Sequence, residues 1–290
     1  MRLRGLRLLA VGAVAALAMT ACGTGGGTVT EVTVAKNPKF AAGSTMQKLN
    51  QAGKIKIGIK FDQPGIGYKK PDGSFDGFDV AMAQYIAGQL GIDPKNIQFI
   101  ETVSKNREPF LQKGTVDLVL ASYSINDERR GIVGQAGPYF VTGQGLLVRK
   151  DNNSITGGPS LKGKKVCSVT GSTSLTQVED KFGAQPAPFG TYSECVTQLK
   201  AGSVDAVTTD EAILLGYAAD DPDKLKVVGE PFSEERYGIG YKHGDAAMCG
   251  FLNKSITQSE TDGYWKKAFD ETLGKAGVDA PTAPKPDPCS

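Results

Sequence analysis

One arginine, one aspartate and a set of hydroxyls fall just beyond the ends of four apolar, β-branched runs. The runs are residues 55–59, 116–121, 165–169 and 204–208. Past their ends come Lys60, then Ser122, Ser124 and Arg129, then Thr170 to Thr173, and finally Asp210. If the runs are parallel strands of open α/β sheets, these residues converge where loop N–H groups and helix N-termini gather. An arginine opposite a carboxylate, with hydroxyls between them, complements a carboxylate beside an ammonium group. The chemistry is recognition of a small zwitterion, not bond cleavage.

The elements that must position these groups follow a weak internal repeat. Leu111-Gln112-Lys113-Gly114-Thr115-Val116-Asp117-Leu118-Val119 is matched by Leu199-Lys200-Ala201-Gly202-Ser203-Val204-Asp205-Ala206-Val207. Each reads as a helix ending at a glycine and turning at once into a strand. Upstream, residues 54–60 and 164–170 both begin basic and continue β-branched. Helical patterns occupy 80–90, 107–112, 174–181, 192–200 and 212–219. Strand and helix alternating in this way, twice over, predicts two α/β lobes with parallel strands. Residues 139–150 and 231–242 read as extended, and helices follow near Ile256 and over 265–273. The chain is therefore expected to leave lobe 1, build lobe 2 and return, so that two crossings form a hinge and the cleft becomes the site.

The ends bound where such a molecule works. Arg2, Arg4 and Arg7 precede an apolar run, residues 8–17, that is too short to span a bilayer. Met19-Thr20-Ala21-Cys22 resembles a bacterial lipobox, with Cys22 as the lipid-modified mature N-terminus. Residues 1–21 are then a signal peptide, and the Gly- and Thr-rich stretch in 22–50 a flexible tether. That stretch lacks the flanking strand and the terminal Lys-Ser or Lys-Thr of a phosphate loop. The full chain carries a net charge of +2. Removal of the signal peptide takes away three arginines and no acid, leaving a nearly neutral chain with no nucleic-acid footprint.

Four cysteines remain, and in an exported chain an even number points to disulfides, with three possible connectivities. Cys167 opens a lobe and Cys195 lies in a helix two segments later, so we pair them. Cys249 then pairs with Cys289, which closes a proline-rich tail. Each bond stabilises by ~3–4 kcal/mol in the loop-entropy account. With no Cys-x-x-Cys and His243 the sole histidine, neither a zinc site nor another cofactor is expected. Asp220-Asp221-Pro222-Asp223 reads as a solvated turn, and Asp76 and Asp79 as acids favoured by a helix N-terminus.

Gly77-Phe78-Asp79-Val80, the Gln-x-Gly-x-Val-Asp strand, Ser124-Ile125-Asn126-Asp127-Glu128-Arg129 and Gly137-Pro138-Tyr139 resemble family 3 solute-binding proteins of polar amino-acid ABC importers. Three further segments narrow the resemblance: Lys60-Phe61-Asp62-Gln63-Pro64-Gly65, Cys167-Ser168-Val169-Thr170-Gly171-Ser172-Thr173 and Val204-Asp205-Ala206-Val207-Thr208-Thr209-Asp210. They are similar to actinobacterial-type glutamate-binding lipoproteins, over about residues 55–273. The resemblance implies a type II periplasmic-binding-protein fold, with lobe 1 from 51–142 and 237–290 and lobe 2 from 143–236. It implies that Arg129 clamps an α-carboxylate with Ser124 and Thr173, and that Asp210 and Ser122 take the α-ammonium. Lys60, Ser104 and Arg107 would hold a distal carboxylate. Glutamine binders of the family stack an aromatic on the ligand; here Tyr68 or Phe61 is the candidate. Structural alternatives stand beside these roles. Arg129 belongs to a charge run, Asp210 could cap the following helix, Arg107 could cap its own, and Lys60 could snorkel to water.

The function implied is a monomeric receptor, lipid-anchored on the extracellular face of the cytoplasmic membrane, that delivers glutamate to a permease driven by an ATPase. Aspartate, glutamine or another polar amino acid is the alternative ligand. A dehydratase-like enzyme on the same fold is the rival from another class, and a sensor ectodomain the third reading. An enzyme would need a general acid in the cleft, and the one histidine falls outside the expected site.

Overall fold

The computed structural model describes residues 31–276 and 280–289. The signal peptide, Cys22 and the first part of the expected tether lie outside the described residues. The rest of that tether is not free. Ala35 N–H donates to the carbonyl of Gly88, and Val32 and Phe40 pack against the core. Helix α1 (Thr45–Ala52) begins where Ser44 Oγ accepts from Gln47 N–H, and it buries Met46 and Leu49. The glycines that suggest a tether end well before this apolar pair, and the pair's burial holds the segment.

From α1 the chain enters β1 (Ile55–Ile59) and three short strands, β2 (Asp62–Gln63), β3 (Gly67–Lys69) and β4 (Phe75–Asp76), which pair as a small antiparallel sheet. Helix α2 (Phe78–Gln89), β5 (Ile97–Glu101), α3 (Arg107–Lys113), β6 (Leu118–Val119) and the short α4 (Asp127–Arg130) follow, then β7 (Gly134–Thr142). Lobe 2 runs from β8 (Gln144–Arg149) through β9 (Lys165–Val169), α5 (Thr173–Phe182), β10 (Gln185–Phe189), α6 (Tyr192–Lys200), β11 (Ala206–Asp210) and α7 (Glu211–Asp220) to β12 (Leu225–Val228). The return is made by β13 (Glu235–Tyr241), α8 (Ala246–Thr261) and α9 (Tyr264–Glu271).

The two main sheets share one plan. The first has the order β5-β1-β6-β13-β7 and the second β10-β9-β11-β8-β12, and in each only the fourth strand, β13 or β8, runs antiparallel to its neighbours. The repeat has a physical basis in its aspartates. Asp117 accepts from Lys56 N–H at 2.8 Å, and its counterpart Asp205 accepts from Lys165 N–H at 2.8 Å. In both lobes this carboxylate satisfies the first free donor of the neighbouring strand, so the third strand locks the start of the first.

Helix α2 is buried almost all round, between the sheet and helices α8 and α9. Phe78 sits in an aromatic cluster with Tyr139, Phe140, Trp265 and Phe269. Strands β7 and β13 pair antiparallel, Thr142 opposite Glu235, and the chain passes between lobes beside that pair. Disulfides join Cys167 to Cys195 and Cys249 to Cys289, the pairing set out above. The tail is pinned further by Asp287, which binds Arg130 at 2.7 Å and Arg236 at 2.6 Å. Strand β10 carries Pro186 and Pro188, which an edge position tolerates.

Candidate functional site

Strands β1, β6, β9 and β11 all point their carboxyl ends at the seam between the lobes. A small cavity there is lined by Ser104, Arg107, Ser122, Ser124 and Arg129 from lobe 1. Lobe 2 contributes Ser172, Thr173, Ser174, Tyr192, Thr209, Asp210 and Ile213. Seven of the eight residues expected as a ligand set therefore meet at one place. Lys60 is one bond behind them, buried, with Nζ donating to Ser104 Oγ at 2.8 Å.

The guanidinium groups are held by main-chain carbonyls. Arg107 donates through Nε to Ser104, through Nη1 to Ala121 and Ser122, and through Nη2 to Gly171. Arg129 donates to the carbonyl of Ser124 at 2.6 Å and to that of Gly171 at 3.1 Å, and its Nε pairs with Glu108 at 3.3 Å. Tyr123 lies beneath both, with ring centroid 4.5 Å from the Arg107 guanidinium and 5.1 Å from that of Arg129. Both arginines are therefore rigid, and Arg129 is not the surface residue of a charge run. The structure gives Arg107 an additional task to the one expected of it, since four carbonyls depend on it as a brace. The Ser122 carbonyl, expected at an ammonium, accepts from Arg107 instead.

Gly171 is a point of close approach between the lobes. Its φ of +84° is left-handed, and a Cβ there would stand 2.8 Å from the backbone of Lys105 in the opposite lobe. One carbonyl on this glycine receives both arginines, so it links the lobes through their cationic groups.

Asp210 leads into α7 without capping it; Oδ2 accepts from Tyr237 Oη at 2.7 Å. Burial, and then the charge of Glu235, push its carboxyl up to about 7. Burial, and then the charge of Arg107, lower the Lys60 ammonium to about 7. Lys60 does not reach water. Thr173 Oγ1 donates to Glu235 at 3.0 Å, which ties the start of α5 to the hinge strand.

Asp79 is a correction. The helix dipole does not account for it: the residue is fully buried and accepts from Ser122 N–H at 2.7 Å and from Tyr139 Oη. Ser122 adopts φ +43°, an uncommon conformation for a residue with a side chain. Asp79 secures that turn, and its own carboxyl is pushed up to about 6 by burial. The aromatic candidates also differ. Phe61 packs on Phe75 and Tyr68 lies in a separate groove, whereas Tyr192 lines the cavity. Tyr192 is the first residue of a helix that opens with a Thr191–Glu194 capping box, a signal that marks the helix start but not the direction of its first side chain. His243 lies away from the cavity, beside Tyr241 and Asp245.

Two α/β lobes joined by two crossings, meeting at a polar cavity beyond their strand ends, define a binding protein of the periplasmic type II class. Residues 55–275 match the bacterial extracellular solute-binding proteins, family 3, and the chain belongs to that family. It is 41% identical over 234 residues to the glutamate-binding protein GluB of Corynebacterium efficiens, covering 77% of this chain and 80% of that one. It is 36% identical over 261 residues to the ABC transporter glutamine-binding protein GlnH of Bacillus subtilis, covering 89% and 93%. Among solved structures, an ancestral arginine-binding protein bound to arginine superposes with a TM-score of 0.71 at 36% identity, covering 77% of this chain and 99% of that one. Among the described residues no helix is long and apolar enough to cross a membrane, and no cluster of His, Cys, Asp and Glu could hold a metal ion.

Proposed function

We propose that this chain captures glutamate in the interlobe cavity, as the lipid-anchored receptor of an ABC importer, and delivers it to the permease. The observation that carries the reading is the charge arrangement. Lys60, Arg107 and Arg129, all from lobe 1, stand on one side of a cavity whose other wall holds Asp210. Two carboxylates and one ammonium fit three cations and one carboxylate. Arg129 with Ser124 and Thr173 takes the α-carboxylate, Asp210 with the Ser122 hydroxyl the α-ammonium, and Lys60, Ser104 and Arg107 the distal carboxylate. A charge-assisted bond is roughly twice as strong as a neutral one, so the second cationic group favours an acid over its amide. Similarity to the glutamate-binding protein GluB supports the same ligand. Equilibrium dialysis with labelled glutamate, followed by analysis of the recovered ligand, tests the reading. One unchanged glutamate bound per chain is expected, and conversion to a product would overturn it in favour of an enzyme.

Membrane attachment is tested separately. Cys22→Ala is expected to release the protein into the medium, with glutamate affinity unchanged within about twofold because Cys22 is remote in sequence from every proposed contact. Retention of the variant on the membrane would contradict lipid anchoring.

Lobe closure gives another expectation. Gly171→Ala adds a side chain at a left-handed φ, a strain of ~1–3 kcal/mol in any state, and sets it against Lys105, a clash met only when the lobes are shut. Glutamate affinity should fall by roughly 10–100-fold from the closure clash, with the melting temperature of the ligand-free protein lowered modestly by the backbone strain alone. Calorimetry and a thermal melt measure the two effects.

A further inference from the structure

Tyr192 has a place in the cavity that none of the assigned roles uses. It is 3% exposed, and its ring lines the cavity from lobe 2. Its hydroxyl end feels the charge of Asp210 first, lies among Thr209, Ser168 and Ser172, and is also within electrostatic reach of Arg107. Its backbone is held from the opposite lobe. The capping box of α6 satisfies the N–H groups of Glu194 and Thr191 and leaves those of Tyr192 and Ser193. Asp62 of lobe 1 fills that gap, with Oδ2 accepting from Tyr192 N–H at 2.8 Å and from Ser193 N–H at 3.1 Å. Tyr217 of lobe 2 adds a third link, its hydroxyl donating to the carbonyl of Asp62.

Asp62 opens β2, two residues beyond Lys60 at the end of β1. Its grip therefore ties the start of α6 to the lobe-1 segment that carries Lys60, and Tyr192 lines the same cavity as Ser104 and Arg107. Every cation proposed for the distal carboxylate comes from lobe 1, so a lobe-2 donor at this spot would complete the enclosure.

We infer that Tyr192 is a further specificity residue, donating its hydroxyl to the side-chain oxygen of the ligand from lobe 2, and that Asp62 of lobe 1 positions it. The inference rests on the glutamate reading above and adds to it a contact made only when the lobes close. A phenol donating to a carboxylate contributes more than one donating to an amide oxygen, because the acceptor is charged.

The test is calorimetry with L-glutamate and L-glutamine on the wild-type chain, Tyr192→Phe, Asp62→Ala and the double variant. Tyr192→Phe is expected to weaken glutamate by about tenfold or more and glutamine by less, so that the selectivity ratio narrows. The ligand-free melting temperature should stay within a degree or two, since only one hydroxyl is removed. Asp62→Ala should also weaken glutamate. The double variant should lose less than the product of the two single losses, because the positioning group and the positioned group act as one unit. A Tyr192→Phe variant with wild-type affinities and ratio overturns this inference and leaves the receptor reading standing. A wild-type chain that binds neither ligand overturns the receptor reading and this inference with it.

Discussion

Replacing Arg129 by alanine is expected to reduce glutamate affinity by about 10²–10³-fold. Removing one partner of a buried, hydrogen-bonded ion pair costs ~3–5 kcal/mol, because the other charge stays desolvated. Arg129 is buried, its planar group already lies over Tyr123, and its contacts with Ser124, Gly171 and Glu108 fix it before any ligand arrives. Little ordering is left for the moment of binding, which makes the residue an efficient clamp. Arg129→Lys should fall between the parent and the alanine variant, since an ammonium keeps the charge and loses the planar fork. Glutamine should weaken by the same factor as glutamate, because both share the α-carboxylate. Titration calorimetry on the two variants measures this, and an Arg129→Ala protein within fivefold of the parent would move the carboxylate anchor elsewhere.

The second large effect is a bell-shaped dependence of glutamate affinity on pH, with its maximum near neutrality. Lys60 is lowered to about 7 in the ligand-free protein, and a bound carboxylate beside it would raise that value again. Binding then takes up a proton once the pH exceeds about 7, and affinity falls by up to tenfold per pH unit on the alkaline side. Asp210 is raised to about 7, and a bound ammonium would lower it. Binding then releases a proton below about 7, and affinity falls on the acid side too. Lys60 is influenced by Arg107, Asp62, Asp79 and Arg129, and Asp210 by Glu235, Tyr237, Arg107 and Arg129. Lys60→Met should abolish the alkaline limb and keep the acid one. Glutamine, which brings no distal charge, should show the acid limb alone even with Lys60 present. Affinities measured from pH 5 to 9 decide the matter, and a flat profile for glutamate would contradict both assignments.

Much of this architecture is legible in the chain itself because its signals are local. A glycine after one helix of each lobe, followed by a hydroxyl residue, a valine and an aspartate, marks the same turn in both lobes, and Asp117 and Asp205 then make equivalent bonds. The start of α6 is equally local, set by Thr191 and Glu194. Elements without a local signal escape. Strand β10 carries Pro186 and Pro188, which mask its strand pattern, and its position at a sheet edge permits them. The short strands β2 to β4 have too few residues for alternation to show.

The site divides along the same line. Asp210 ends β11, and Arg129 lies in the short α4 that Asn126 caps, so local signals determine where both point. Asp79 looks like an ordinary acid at a helix start, because the two groups that define its role, Ser122 and Tyr139, are 43 and 60 residues away in the chain. Tyr192 is hidden for a related reason. Its surroundings are made by Asp62, 130 residues earlier, and by Thr209 on a different strand. Residues whose meaning depends on two lobes coming together have no signature within one segment.

The central claim, an acidic amino acid held between three lobe-1 cations and one lobe-2 carboxylate, is tested most directly by calorimetry of glutamate, aspartate and glutamine on the unmodified protein at pH 7. The contacts to the α-ammonium and α-carboxylate cancel between glutamate and glutamine, so their difference reports the Lys60, Ser104 and Arg107 pocket alone. Glutamate should bind at least about tenfold more tightly than glutamine, the amide leaving a desolvated cation without its counter-charge. Aspartate should fall between them, its shorter side chain carrying the charge without reaching both cationic groups. Equal affinity for glutamate and glutamine would contradict the acidic pocket.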